Sequence, residues 1–504
     1  MPKNIFNYTT ENRGRVLLLF LLFLLAIYEF VHAGFSNFAI ICALPLVVLY
    51  IYVAFNWKMF TFWTLIIINY FLQMKNVNLP VPMSLPNELL SIILLAIAII
   101  DARQTPHFER TANLMFVALG AWCVFCILEL LNDTCDLGID VSAWYTGARL
   151  MAFQMLWTFM VFTIYISSPE VLMRYIKLWA VLSLISVFWV WKQQNLGFTL
   201  AENSWIQGRG RSTHILNGGT LIRYFSTFSD AANYGCNAAA TTVAFILFGI
   251  TTKFKFERIF FLVTGIAVFW GMFASGTRTA IFCVGAGLFV YIFLSKSVKI
   301  AVPFSIVFAI CAFLLVFTNI GNGNQQIRRM RSAFNKDDAS ANVRDLNKET
   351  IKKYIKDAPW GIGLGMGYNV PANNKFNRIA TIPPDSEYVY IWIRTGPVGM
   401  TTFAITTFIM FAGAFLTVFT RLKSRSLMGI GSGFCCAFVS IQLAGYANQV
   451  LMQFPNNLIF YGGLSIVYVL PYIEPEWIKY EERRLAKQTE RKRLRLEKKL
   501  ASRV

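Results

Sequence analysis

Charged residues and histidines are scarce in this sequence of 504 residues. Only 14% of the residues are charged, whereas a soluble globular domain carries about a quarter, so an ordinary soluble enzyme is excluded. An aromatic content of 16% excludes a disordered chain. Three histidines are present, and no HExxH, DxD or GxSxG motif appears, so neither a metal site nor a cofactor is predicted. A hydrophobic content of 56% leaves the class of polytopic membrane proteins.

Apolar segments recur along the whole chain. Each must be a helix, because the bilayer offers no partner for an unpaired backbone amide. The segments lie near 16–32, 37–55, 58–73, 87–100, 111–131, 147–167, 171–191, 231–251, 256–274, 278–295, 299–318, 387–420, 427–445 and 449–471. They predict an all-α polytopic membrane protein with about fourteen transmembrane helices. The segment 387–420 is too long for one simple span, and we expect Gly396-Pro397 to bend it.

The distribution of positive charge predicts the orientation. With the N-terminus in the cytoplasm, the short cytoplasmic connections carry thirteen Lys and Arg, and the short outer connections carry two. This bias is typical of membrane proteins, and it places both termini in the cytoplasm. The prediction is one transmembrane domain, 1–473, with two large extracytoplasmic loops, 192–230 and 319–386. A basic tail, 474–504, would contact anionic lipid, so the net charge of +20 does not indicate nucleic-acid binding.

The second outer loop is basic and contains a helical pattern. Apolar residues recur at helical spacing in this loop, namely Val343, Leu346, Thr350, Ile351, Tyr354 and Ile355, and lysines occupy the opposite face. The pattern predicts an amphipathic helix that lies on the membrane surface or covers a cavity. An excess of basic residues on the outer face favours an anionic substrate.

Four arginines and one histidine are candidates for binding that substrate. Arg278, in Ser275-Gly276-Thr277-Arg278-Thr279-Ala280, stands at the edge of a helix, where it is either a phosphate ligand or a snorkelling anchor. Arg344 and Arg223 carry the same ambiguity between ligand and solvated charge, and Arg394 would point at the same cavity. His214 is the only histidine in an outer loop.

A run of glycines from Gly361 to Gly367 does not predict a nucleotide site. It follows a surface helix instead of a strand, and no helix with a ribose-binding acid follows it. We expect a tight turn whose backbone amides approach an anion, or a hinge.

Four segments in order resemble the O-antigen polymerase and ligase superfamily. They are RYFSTFSDAANYG, SGTRTA, PWGIGLGMGYN and PDSEYVYIWIRTGPVG, and the resemblance covers about residues 210–400. It implies a metal-independent inner-membrane glycosyltransferase that takes glycan from a polyprenyl diphosphate carrier. It further implies that Arg278 and Arg344 bind the diphosphate. The histidine of the ligases would fall at Asp385, and Asp-Ser in place of His-Asn favours a polymerase.

The predicted function is therefore a polysaccharide polymerase with its active site on the periplasmic face of the bacterial inner membrane. Its substrate would be an oligosaccharide on undecaprenyl diphosphate, and a chain-length regulator and a flippase would be partners. A ligase that transfers the same glycan to lipid A core is the alternative, and a flippase is the second. Asp385 is the candidate base, unless it only caps the helix; Glu387 and Tyr388 are the other candidates.

Overall fold

The computed structural model describes residues 13–33, 48–75, 84–101, 107–216, 221–296, 317–331, 339–366, 370–382 and 384–501, with gaps at 321 and 324 and isolated positions elsewhere. The chain divides into two compact units, residues 1–64 and 65–504. The first unit contains α1 (Arg13–Ala33), α2 (Val48–Asn56) and the start of α3 (Lys58–Phe71).

The second unit is almost entirely helical. Its helices are α4 (Leu85–Ile100), α5 (Leu114–Leu128), α6 (Val141–Ala148), α7 (Gln154–Tyr165), α8 (Pro169–Asn195), α9 (Leu200–Gln207), α10 (Arg211–His214), α11 (Ala231–Thr251), α12 (Lys255–Ala274), α13 (Thr279–Leu294), α14 (Gln325–Arg331), α15 (Ala339–Ile355), α16 (Asn377–Ala380), α17 (Glu387–Leu416), α18 (Arg425–Gly445) and α19 (Gly462–Ala501). Two short antiparallel strands, Ile215–Leu216 and Leu221–Ile222, pair in the first long loop.

The all-α membrane fold predicted from the sequence is confirmed. Eight helices in the described part of the chain are long and apolar enough to cross a membrane, and α2 with α3, bent by 117°, counts as a ninth if it is one span. Shorter apolar helices, α4 and α13 among them, match further predicted segments. Half of the predicted segment 299–318 lies outside the described residues, so the count of about fourteen stays a prediction.

Helices α11 and α18 form the centre of the second unit. Most of their residues are buried, and many of the buried residues are glycine, alanine, serine or cysteine. A Cβ at Gly433 would lie 2.4 Å from the Phe248 ring, and one at Gly287 would lie 2.4 Å from the Ser440 hydroxyl. Small residues permit such close helix packing in membrane proteins.

A cluster of buried amides joins α11 to the residues just before α19. Asn456 donates to the side-chain oxygen of Asn233 (2.7 Å) and to the main-chain oxygen of Val450 (2.9 Å). Its own side-chain oxygen accepts a hydrogen bond from Asn237 (2.8 Å). Two of these three hydrogen bonds, those with Asn233 and Asn237, thus join Asn456 to α11.

The contacts separate two ends of the second unit. We call the end that carries the long loops 192–230 and 319–386 the loop end, and the opposite end the tail end. At the tail end, Glu257 binds Lys177 (2.9 Å) and Arg484 (2.8 Å), and Glu481 binds Lys253 (2.7 Å). Helix α19 continues without interruption from the last span into the basic tail.

Helix α17 is broken where the sequence predicts a bend. Gly396 has φ +64°, and Pro397 follows it. Because Pro397 has no N–H, the Ile393 carbonyl has no partner within the helix; it accepts the Ile362 amide (3.0 Å), and the Arg394 carbonyl accepts the Gly363 amide (3.0 Å). The glycine run therefore completes the hydrogen bonds of a broken helix, and these two amides are not available to an anion.

The amphipathic helix of the second loop is present as α15, but its apolar face is narrower than predicted. Ile351 and Ile355 are fully buried in a small core with Ala358, Ile362 and other loop residues. Leu346, expected on the same face, is 64% exposed. Among the side chains of α15 that the structure describes, those of its last turns pack on the loop end.

Candidate functional site

The segment Ser275-Gly276-Thr277-Arg278 forms a tight turn between α12 and α13 at the loop end. Gly276 has φ +58°, a conformation that a glycine adopts without strain. The Ser275 hydroxyl accepts the Thr277 amide (3.2 Å), and the Thr277 hydroxyl donates to the Ala231 carbonyl (2.7 Å) at the start of α11. Arg278 directly precedes α13 and is half-buried.

Two further arginines bind this turn. Arg223 donates to the Ser275 carbonyl (3.2 Å), to the Thr277 hydroxyl (3.1 Å) and, in its own loop, to the Thr213 carbonyl (3.0 Å). From the other side, Arg329 of α14 donates to the Gly276 carbonyl (2.7 Å). Arg223 and Arg329 thus bind the turn that carries Arg278, and we call these three residues the arginine cluster.

Asn448 connects the turn to the start of α17. The side-chain amide of Asn448 donates to the Thr279 hydroxyl (3.2 Å), and its main-chain carbonyl accepts a hydrogen bond from the Glu387 main-chain amide (3.3 Å). The N-termini of α13 and α17 therefore approach each other here. Helix N-termini carry partial positive charge, so the arginine cluster and two helix ends favour a negative group at the same place.

A cavity of about 400 Å³ opens beside this junction. It is lined by side chains from five parts of the loop end, including Gln73, Arg149, Glu387, Tyr390 and Gln453. We call it the Glu387 cavity. It contains both a cationic side chain, Arg149, and an anionic one, Glu387.

Residues around the cavity form hydrogen bonds and an ion pair with Arg149 and Glu387. Arg149 lies 3.8 Å from Glu88, which also accepts a hydrogen bond from Gln154 (3.0 Å). The Glu387 side chain is buried and accepts the Leu451 amide (2.9 Å). Both groups are fixed before a ligand binds.

The other predicted residues near the start of α17 do not line the Glu387 cavity. Asp385 is exposed and lies beside a shallow depression with Lys348. Ser386, and not Asp385, caps α17, since its side chain accepts the Val389 amide; the capping alternative for Asp385 is wrong. The Tyr388 hydroxyl donates to Gln442 of α18 (2.9 Å). Arg394 packs 5.3 Å from the centre of the Tyr390 ring.

His214 is part of the protein interior. It is 2% exposed, and its Nε2 accepts the Ala231 amide (3.0 Å), so the ring proton lies on Nδ1, 3.2 Å from the Gly210 carbonyl. Burial, and after it the Arg223 charge, lower the pKa of His214 to about 4. The ring is neutral at pH 7 and supports the start of α11.

Arg344 lies in α15, but its side chain is outside the described residues.

Two residues that sequence reasoning missed belong to the site. Arg329 lies in a basic run, Arg328-Arg329-Met330-Arg331, where nothing marks one arginine over its neighbours, and Arg149 follows an unremarkable Gly-Ala pair. No group of three or more metal-binding side chains occurs within the described ranges.

A comparison with models of known protein families gives a match. Residues 263–404 match the family model described as O-antigen ligase, a stretch that runs from α12 through the Ser275–Arg278 turn to the middle of α17. No curated protein matches the chain.

Proposed function

We infer that the chain is a glycan-transferring protein of the O-antigen ligase and polymerase type, because residues 263–404 match the family model described as O-antigen ligase. We propose that it is the polymerase, which joins oligosaccharide repeat units carried on undecaprenyl diphosphate at the periplasmic face of the inner membrane. The observation that carries the proposal is the arginine cluster on the Ser275–Arg278 turn, beside a cavity that holds Arg149 and Glu387.

The diphosphate would lie between the arginine cluster and the N-termini of α13 and α17. Arg223 and Arg329 hold the turn through its carbonyls, so they position Arg278. A guanidinium can bind two phosphate oxygens at once. The charge that develops on the leaving diphosphate is then stabilised by groups already in place.

The transfer forms one bond and breaks one. The oxygen of an acceptor hydroxyl attacks the sugar carbon that bears the diphosphate, and the carbon–oxygen bond to the diphosphate breaks with its electron pair leaving on phosphate. The hydroxyl proton passes to a base. Glu387 is better placed for this than Asp385, because it lines the same cavity as Arg149 whereas Asp385 is exposed to solvent.

A ligase is the second candidate, because the matching family model is described by the ligase reaction. Deletion of the gene, followed by gel analysis of the surface glycan, separates the two. A single repeat unit on the lipid core indicates a polymerase, and loss of all glycan from the core, with carrier-linked polymer retained, indicates a ligase.

Paired variants test the base. We expect Glu387→Gln to abolish polymer, because the amide cannot accept the proton, and a positioned base contributes about 10²- to 10⁴-fold. Asp385→Asn is the matched control and should retain polymer. The reverse result would move the base to Asp385, and protein level in the membrane must be equal in both variants.

A further inference from the structure

A second cavity at the loop end, of about 410 Å³, is formed by residues that the proposed transfer does not use. Its walls come from the end of α5 and the loop that follows, together with one residue of the segment after α15. Phe125, Glu129, Asn132, Asp133 and Trp360 contribute the aromatic and polar surface. We call it the Trp360 cavity.

An aromatic ring forms one wall of the Trp360 cavity. Trp360 is 51% exposed, and its inner face stacks on Phe125, with ring centres 6.1 Å apart and an interplanar angle of 27°. Its main chain is fixed, since the Trp360 carbonyl accepts a hydrogen bond from Asn132 (2.8 Å) and Gly361 packs against the break in α17. The outer face of the ring is a rigid apolar platform.

Hydrogen-bonding groups surround this platform. The Glu129 side chain is 5% exposed, and one of its oxygens accepts a hydrogen bond from Asn132 (2.8 Å). Its other oxygen accepts none from any described residue, and Glu129 lines the cavity. A carboxylate oxygen that reaches the cavity can accept a hydrogen bond from a ligand hydroxyl. Asp133 lies at the rim and offers a second carboxylate.

The chemistry of these walls selects a neutral sugar. None of the lining residues is basic, and two are acidic, so a phosphate or an anionic lipid headgroup is repelled. A hydrocarbon chain would fill the apolar wall but leave the carboxylate oxygen unpaired. A pyranose ring presents an apolar face that packs on an aromatic ring, and its hydroxyls donate to carboxylates.

We propose that the Trp360 cavity is a carbohydrate-binding subsite, which holds an uncharged sugar of the glycan on the Trp360 ring with its hydroxyls donated to Glu129. The inference rests on the proposed function for the identity of the glycan. It deepens that function by separating the recognition of sugar from the recognition of the diphosphate, which the arginine cluster carries out.

Binding to the full-length protein in nanodiscs tests this subsite. The probe is the lipid-free, phosphate-free oligosaccharide released by mild acid from the carrier-linked repeat units of the host. We expect Trp360→Ala to weaken its binding about tenfold and Trp360→Phe to retain most of the affinity. We expect Glu129→Gln to weaken binding too, since the amide loses the charged acceptor.

Trp191→Ala is the matched control. Trp191 is 43% exposed and stacks on Phe188, with ring centres 5.7 Å apart, but it does not line the Trp360 cavity. Equal affinities of the Trp360→Ala and Trp191→Ala proteins would overturn the proposal. So would binding that is displaced by polyprenol or by anionic lipid, because the cavity would then be a lipid site.

The outcome is independent of the transfer reaction. If the arginine cluster does not bind diphosphate, polymer formation survives Arg278→Lys, while the sugar affinity still depends on Trp360. If the subsite is wrong, the sugar affinity is unchanged in Trp360→Ala, while polymer is still lost in Arg278→Lys.

Discussion

Replacing His214 with glutamine should remove a dependence of stability on pH. The pKa of His214 is lowered from 6.5 to about 4 in the folded protein, first by burial and then by the Arg223 charge, while Asp230 acts in the opposite direction and Lys75 in the same one. Between these two pH values the unfolded chain binds a proton that the folded protein does not. The contribution of the neutral His214 ring to the free energy of unfolding is therefore complete above pH 6.5, and it is lost as the pH falls towards 4.

The size of the effect follows from the two pKa values. Between pH 7.5 and pH 5 the wild-type protein should lose about 2 kcal/mol through this one group, which corresponds to a melting temperature lower by on the order of 3 °C. Thermal unfolding of the detergent-solubilised protein, followed by tryptophan fluorescence at several pH values, measures it. Other carboxylates titrate in the same range, so the quantity that counts is the difference between wild type and variant.

Glutamine is the suitable replacement, because its side-chain oxygen can accept the Ala231 amide in place of Nε2. The His214→Gln protein should be less stable at pH 7.5, since it loses the ring contact with Trp205, whose centre lies 4.8 Å away. Its melting temperature should fall less than that of the wild type between pH 7.5 and pH 5. An unchanged pH dependence in the variant would refute the reasoning.

Three other predictions concern the site and its setting. Arg278→Lys should lose most polymer in a gel of surface glycan, because a point charge cannot replace a planar group that binds two oxygens; full-length polymer at normal protein level would contradict this. Gly361→Ala should lower the melting temperature or prevent accumulation, because its Cβ would lie 2.4 Å from the Arg394 main chain and φ is +76°; a gain of stability, as from Gly→Ala at an unstrained site, would show that the segment can move away. A cysteine at Asn373 should react with an impermeant reagent in intact cells, and one at Lys255 should not; the opposite pattern would invert the topology.

The sequence predicts the helices well, because a span must be apolar over its whole length. It also predicts the break in α17, because a glycine followed by a proline interrupts helical hydrogen bonding. It also identifies Arg278, whose neighbours form a recognisable turn. It could not identify Arg329 or Arg149, because each reaches the site through tertiary packing. His214 and Tyr388 were candidates because of their side-chain chemistry, yet their hydrogen bonds are made within the protein, and only the three-dimensional arrangement shows this.

The choice between Asp385 and Ser386 as the cap of α17 illustrates the limit of boundary prediction. Both residue types are good N-caps, and a shift of one residue decides which side chain accepts the helix amide. That shift turns Asp385 outward and brings Glu387 into the cavity. A difference of one residue in the helix start therefore changes the candidate base.

The buried amides of Asn233, Asn237 and Asn456 have a consequence for motion. A slide of α11 past Asn456, by even one helical turn, would break the two hydrogen bonds that join Asn456 to α11 at about 1–3 kcal/mol for each group left unpaired. Helix α11 and the segment that holds Asn456 must therefore move as one rigid body through a reaction cycle. Any opening that admits a lipid-linked glycan has to come from the segments around them, such as the first half of α17 and the loop that carries α15.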